Sequence, residues 1–439
     1  MYQNIKTCIK RGNEFSDFFI SKTGVKQGEN LSPFLFSLFL NDLESFFVEH
    51  NVDHLQDISE ICEESIQMYI KLFIILYADD TVLLSETANG LQNLLDNFEK
   101  YCDEWKLKVN INKTKVVVFS KRKSKIRQIF KIKGEKIDLL ESYAYLGIIF
   151  NFNGNFCKAR QKLKEQAQKS LYALYRKIRN ISIPVDLQLK LFDSLVSPVL
   201  LYGAEIWGFE NISDLERLHL QFCKNTLKVR KSTPNYMVYG ELGRFPIETI
   251  VKRKMVLFWN NLMTNTSKLS SIMYRIMLKL HSINPSHFKW IAYIKSVFDN
   301  IGLSFVWNDQ IPMDRNVLKG LISQKLNDQF IQQWFSQMNN SSRGLFYAEY
   351  KDEFRLENYL LKLNPHDRII IAKLRCSNLK IPIETGRWSG IPTDQRICHL
   401  CKNGIGDEFH YLFICQKFEV IRFERTICTK IFHSESKGV

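Results

Sequence analysis

No apolar run in this chain approaches the ~20 residues that a membrane helix requires; the longest, around Leu31–Leu40 and Ile70–Ala78, fall well short. The opening residues MYQNIKTCIKRGNEF are polar and basic and lack the apolar region of a secretory signal. Internal repeats are missing, and so is low-complexity sequence apart from the short basic run Lys121-Arg122-Lys123-Ser124-Lys125. These absences argue against a membrane-spanning, secreted or repeat protein and lead us to expect a soluble, intracellular one. Ten cysteines are scattered at positions 8, 62, 102, 157, 223, 376, 398, 401, 415 and 428. Without a secretory signal that pattern favours reduced thiols, and a cluster of them points to a metal before a disulfide.

Acidic residues are scarce in one region. Residues 100–180 hold 21 Lys and Arg against 6 Asp and Glu, a net +15 that equals the excess of the whole chain. Residues 1–99 hold 6 basic and 16 acidic side chains. A basic stripe following an acidic module is the charge pattern of a nucleic-acid cradle beside a metal-binding site, although a solvated basic helix face has the same composition. At 439 residues, 45% apolar and 13% aromatic, the chain is long enough for two or three domains with real cores.

The stretch Lys71–Ser85, KLFIILYADDTVLLS, sets two apolar runs around Tyr77-Ala78-Asp79-Asp80. It predicts a strand, a tight acidic turn and a returning strand. Adjacent carboxylates repel unless a cation lies beside them, and a hard divalent ion suits such oxygen ligands. An isolated Asp-Asp pair is otherwise an ordinary turn. Upstream, Gly24-Val25-Lys26-Gln27-Gly28-Glu29-Asn30-Leu31-Ser32-Pro33 leads into an apolar helix expected from Pro33 to about Val48. Ser32 is its expected N-cap, and Leu35, Phe36, Phe39, Leu40, Leu43 and Phe47 should face inward.

Together these two strings resemble the catalytic hairpin and the nucleotide-pocket motif of non-LTR (LINE-like) reverse transcriptases. The resemblance continues to about residue 250 and resumes near the C-terminus. It implies an α+β fold: a partial polymerase palm with an antiparallel sheet and packed helices (1–150), a helical thumb (151–255), a helical extension (256–385) and a zinc-binding segment (386–439). The implied reaction is two-metal, RNA-templated DNA synthesis, with Mg²⁺ or Mn²⁺ at Asp79 supported by Asp80, and with Tyr77, Ala78, Gln27 and Gly28 against the nucleotide. The implied partners are an RNA template, a DNA primer or target and deoxynucleoside triphosphates, and the implied compartment is the nucleus, with the cytoplasm the alternative. The family also places a carboxylate on an earlier strand, in a segment of the Phe-Asp-x-x-x-Ala-Phe-Asp kind. None precedes Gly24, where Asp17 is the nearby acidic residue, so we expect an N-terminally truncated enzyme with little or no activity by itself.

After the hairpin, Leu91, Leu94, Leu95, Phe98, Tyr101, Cys102 and Trp105 keep helical spacing, predicting an amphipathic helix over 88–105 whose aromatics are core. A strand is expected over 109–119; within it the resemblance assigns Lys113 to the departing pyrophosphate. Residues 49–68 read as a polar surface insertion, and Tyr143–Phe150 resembles the hairpin that supports the primer end. The helix over 159–180 sets Leu163, Ala167, Leu171, Leu174 and Ile178 opposite Arg160, Lys162, Lys164, Lys169, Arg176 and Lys177. With Lys121, Arg122, Lys123 and Lys125 these cations are the expected phosphate contacts. Pro184 should start a further helix through Leu200. Finally, Cys398-x2-Cys401-x8-His410-x4-Cys415 offers three thiolates and an imidazole, a closed tetrahedral set for Zn²⁺, with Gly404 and Gly406 in the turn and His399 and Cys428 outside the set. Two further readings stand beside the polymerase: a non-catalytic nucleic-acid binder using the basic stripe and zinc motif, and a remnant without a stable fold.

Overall fold

The computed structural model describes residues 5–21, 29–49, 74–77, 80–121, 128–286, 288–341 and 346–424. The chain divides into two compact units, Met1–Asn155 and Phe156–Val439. Among the described residues no helix is long and apolar enough to cross a membrane. Among the described residues the named strands all lie in the first unit, and the second is helical.

The first unit holds strands β1 (Ile5–Thr7), β2 (Lys10–Arg11), β3 (Glu14–Phe15) and β4 (Phe19–Ser21), helices α1 (Ser32–Phe39) and α2 (Leu43–Glu49), and the hairpin β5 (Ile74–Tyr77) and β6 (Asp80–Leu83). It continues with α3 (Ala88–Glu104) and strands β7 (Lys115–Val117), β8 (Phe130–Ile132), β9 (Glu135–Leu140), β10 (Ser142–Tyr145) and β11 (Ile148–Asn151).

Helix α3 organises this unit. Thr87 caps it by accepting from the Gly90 amide at 2.9 Å. One of its faces sets Leu94 and Tyr101 against Leu40, Leu43 and Phe47 of the α1–α2 segment. The other sets Leu95 against Val116, Phe130, Ile132 and Ile137 of the sheet. Leu83 of β6 packs into both clusters, so the hairpin is held by the same helix. Tyr101 donates to Asp42 Oδ1 at 2.6 Å, and burial followed by this carboxylate pushes its phenol far above the ordinary range.

Several expectations are corrected here. The single helix over 33–48 is two, because the turn-forming pair Asn41-Asp42 interrupts it and turns the Asp42 carboxylate toward Tyr101. Ser32 is the first residue inside α1, and Leu31 occupies the cap position without a side-chain hydrogen bond. Phe39 is exposed, though its ring meets Trp105 edge-on at 5.1 Å. The strand over 109–119 shortens to β7, since Asn110 folds 110–114 into a turn by accepting from the Thr114 amide and hydroxyl. The sheet is also not purely antiparallel: its order is β7-β9-β8, with β7 and β9 parallel. β8 lies between the two in the chain, and β7 ends at Val117 while β9 begins at Glu135, far enough apart in sequence for the long connection that a parallel pair needs.

The second unit contains α4 (Cys157–Ile178), α5 (Val185–Leu195), α6 (Ser197–Leu200), α7 (Ala204–Trp207), α8 (Ser213–Leu227), α9 (Asn235–Leu242) and α10 (Ile247–Thr264). It continues through α11 (Leu269–Ile283), α12 (Lys289–Asn300), α13 (Ser304–Asp309), α14 (Arg315–Asn340), α15 (Tyr347–Tyr350), α16 (Tyr359–Lys362), α17 (Pro365–Arg375), α18 (Pro382–Trp388) and α19 (Glu419–Glu424). Pro184 precedes α5, and the helix expected through Leu200 stops at Leu195, because Pro198 near the start of α6 has no amide to continue the ladder. Buried Trp334, Met237, Tyr347 and Cys376 build one core across α9, α14, α15 and the end of α17. Beside it Glu241 and Arg375 form a bidentate pair at 2.8 and 3.0 Å, which Tyr359 completes by donating to Glu241 at 2.7 Å. Gly243, with φ +55°, lets the backbone at Leu356 approach where a Cβ would stand 2.3 Å from its nitrogen.

Candidate functional site

The register of β5 and β6 pairs Tyr77 with Asp80, so Ala78 and Asp79 are the connection between the strands. Asp80 is exposed at the head of β6, while Thr81, Val82 and Leu83 behind it are half-buried and Leu83 packs into the α3 cluster. A carboxylate is therefore presented outward on a rigid element, which is what metal-assisted phosphoryl chemistry asks of its ligands. Asp79, Ala78, Gln27, Gly28, Arg122, Lys123 and Lys125, the residues 49–68 beyond Glu49, and Cys428 lie outside the described residues, as does the Tyr77 side chain.

Lys113 is exposed in the 110–114 turn, whose backbone is tied to β10 because the Tyr143 hydroxyl donates to the Lys113 carbonyl at 3.0 Å. Lys121 is exposed as well. On α4, Arg176 and Lys177 are exposed and Lys164 is half-buried. Arg160 needs correcting. Its side chain is 9% exposed, ion-paired with Glu210 at 3.2 Å and Asp214 at 3.4 Å, and it donates to the Asn211 carbonyl. It anchors α4 to the start of α8, and its position on the helix, next to Ala159 and one turn from Leu163, already places it at the edge of the apolar stripe.

Near the C-terminus, Cys398, Cys401, His410 and Cys415 bring their four donor atoms within 4.8 Å of one another. The knuckle carrying the first two closes through the Cys398 amide, which donates to the Gly404 carbonyl at 3.0 Å, and through the bridge Ile397↔Ile405. Gly404, at φ +78°, leaves the His410 ring room: a Cβ there would sit 3.4 Å from Nδ1. His410 follows Asp407, whose carboxylate accepts its amide at 2.7 Å, and the turn His410–Ile414 delivers Cys415. Cys398 Sγ stands 3.9 Å from Cys415 Sγ, and Cys401 Sγ stands 3.2 Å from His410 Nε2. Two thiolates each about 2.3 Å from one tetrahedral ion stand about 3.8 Å apart, so the spacing fits zinc. Burial pushes the Cys398 thiol up, but the amides of Cys401 and Leu400 and the Tyr411 hydroxyl aimed at its sulfur outweigh that and bring it down to about 6. A sulfur so disposed to ionise is the donor that a zinc ion selects.

Residues 2–150, the stretch that contains the α3 unit and its hairpin, match the family described as reverse transcriptase (RNA-dependent DNA polymerase). The chain is 25% identical over 231 residues to the RNA-directed DNA polymerase from mobile element jockey of Drosophila melanogaster, covering 50% of this chain and 23% of that protein. Residues 2–150 are a non-LTR reverse transcriptase domain. The probable RNA-directed DNA polymerase from transposon BS of the same fly is 28% identical over 223 residues, covering 48% of this chain and 23% of its own length. A Pol polyprotein from the type-1 retrotransposable element R2 of Nasonia vitripennis is 28% identical over 163 residues, covering 35% of this chain and 15% of that protein. The chain thus spans less than a quarter of the length of these relatives. The matches to the jockey and BS polymerases are longer than the reverse transcriptase domain, so they include part of the second unit.

Proposed function

We propose that this chain is part of an enzyme for RNA-templated DNA synthesis, one that adds deoxynucleotides to a DNA 3′ hydroxyl. The observation that carries the reading is the outward Asp80 at the head of β6, anchored through Leu83, in the stretch that matches a reverse transcriptase. Asp79 and Asp80 would hold Mg²⁺ or Mn²⁺, which when bound polarises the phosphoryl oxygens and neutralises developing charge. Gln27, Gly28, Tyr77 and Ala78 position the incoming nucleotide, and the Lys113 ammonium gives a proton to the departing pyrophosphate. Residues 151–255 act as a thumb on which Lys164, Arg176 and Lys177 meet the duplex backbone, and the run at Lys121 supplies phosphate contacts from the first unit; Arg160 is occupied by Glu210 and Asp214 and is left out of this set. Residues 256–385 support that frame. In residues 386–439, Cys398, Cys401, His410 and Cys415 hold a structural zinc.

The basic stripe favours a second reading, in which the chain holds nucleic acid without copying it. Primer extension by the full chain on an RNA template annealed to a DNA primer, with Mg²⁺, separates the two. Extension that disappears in Asp79→Ala supports synthesis. Failure of the unaltered chain to extend, with salt-sensitive binding to the same duplex that ignores Asp79→Ala, supports the second.

A further inference from the structure

Trp388 is the most exposed of the seven tryptophans, at 57%, whereas Trp207, Trp259 and Trp334 are fully buried. It ends α18, and one face of its ring is covered by the Arg230 guanidinium, 4.4 Å from the ring centroid. Cation–π contact of this kind fixes the ring and leaves its other face to solvent.

Both partners are held from behind. Arg230 stands in the loop after α8, where Lys228 takes a left-handed conformation (φ 56°) and the Lys224 ammonium donates to the Lys231 carbonyl at 2.8 Å. Buried Asn378 accepts from the Arg230 amide at 3.3 Å and donates to Thr233 Oγ1 at 2.7 Å, tying that loop to the segment that leads into α18. On the other side, Arg396 lies against Gly386 and donates to the carbonyls of Ile391 and Ile383 at 2.8 and 3.0 Å, so the end of α18 is braced. The ring is thus presented on a frame that is already ordered, and a ligand meeting it need not spend binding energy on arranging it.

The loop that carries Arg230 has charge of one sign. No Asp or Glu occurs between Glu216 and Glu241, and Lys228 and Lys231 on the Arg230 loop are exposed. The neighbouring acid on α18, Glu384, is buried and paired with Arg387 at 2.6 Å. A rigid π-face flanked by cations suits a partner with flat aromatic rings strung on an anionic backbone. In a duplex those faces are already stacked.

We propose that Trp388, backed by Arg230, is a stacking platform for an unpaired nucleic-acid strand, with Lys228 and Lys231 on its phosphates. The proposal rests on the nucleic-acid reading above and adds to it a place and a strand state. A base stacked on the ring contributes sequence-tolerant affinity, and the lysines contribute the salt-dependent part.

The test compares two fluorescein-labelled probes against the full chain by anisotropy over a salt series: a single-stranded RNA of about 15 nucleotides, within reach of one such surface, and the same sequence as a blunt RNA–DNA duplex. Trp388→Ala is expected to weaken single-strand binding roughly 5- to 150-fold, the loss of one stacked base, while duplex binding and the salt slope stay as they were. Trp388→Phe retains most of the affinity, whereas Trp388→Leu, which keeps apolar bulk without a π-face, does not. Lys228→Ala and Lys231→Ala each lower the single-strand salt slope by roughly 0.7. Unchanged single-strand binding in Trp388→Ala, equal losses on both probes, or equal behaviour of the Phe and Leu variants would overturn the platform. If duplex binding persists through such a result, the platform alone fails; if the unaltered chain binds neither probe, the nucleic-acid reading fails with it.

Discussion

Replacing Arg375 by methionine removes a guanidinium that is 6% exposed and holds Glu241, which is fully buried, through two hydrogen bonds of 2.8 and 3.0 Å. The same group reaches Glu357 at 3.4 Å and the Tyr350 carbonyl at 3.4 Å, and lies over the rings of Tyr350 and Tyr359 at 4.7 and 5.5 Å. Methionine fills much of the volume but leaves the Glu241 carboxylate with the Tyr359 hydroxyl and, beyond it, Lys351, which is itself paired with Glu357. A buried charge deprived of its partner costs about 3–5 kcal/mol, a large share of the ~5–15 kcal/mol by which domains are stable. Changing both residues, Glu241→Leu with Arg375→Met, removes the stranded charge and should recover most of that loss. Urea denaturation gives the magnitude, and hydrogen exchange of α9 and of residues 347–376 shows whether the loss is centred on this pair. A cost below about 1 kcal/mol for Arg375→Met, or a double variant no better than the single one, would refute the claim that the pair is an obligatory buried ion pair.

Three further outcomes are expected. Zinc analysis should find one ion per chain; Cys398→Ser or a chelator should remove it and strip hydrogen-exchange protection from 396–424, and protection that survives metal loss would show the four donors converge without an ion. Leu146 and Gly147 both have positive φ, 47° and 82°, in the two-residue turn between β10 and β11, the geometry that favours Asn-Gly; Leu146→Asn should raise the unfolding midpoint by an amount worth ~1 kcal/mol, and a fall would show the leucine does more than turn. Burial pushes the Glu216 carboxyl up, but hydrogen bonds from His219, Tyr239 and the Ile247 amide outweigh it and hold the group below its ordinary 4.5. Because the folded value is the lower one, this stabilisation is fully present above about pH 4.5 and is lost as pH falls through the folded value. Glu216→Gln should therefore be less stable than the unaltered chain at neutral pH and converge on it in acid; a gap that persists in acid would trace the loss to packing.

What the sequence determined alone is what depends on neighbours along the chain. The β5–β6 and β10–β11 hairpins, the limits of α3 and α4 to within two residues, and the Cys398–Cys415 cluster all rest on short-range periodicity, turn chemistry or ligand spacing. The β5–β6 hairpin is also one of the two strings that carried the family resemblance. Tertiary structure decided the rest, because burial and pairing belong to residues distant in sequence. Arg160 has the spacing of a helix-surface cation, and only the approach of Glu210 and Asp214, about fifty positions later, makes it an anchor. Asn41 and Asp42 could have continued a helix until Tyr101 supplied a reason to stop. Glu241 meets Arg375 across 134 residues, and Arg230 meets Trp388 across more still. No local pattern announces either contact, since a charge or an aromatic ring acquires its role only when the fold sets its dielectric surroundings and its partner.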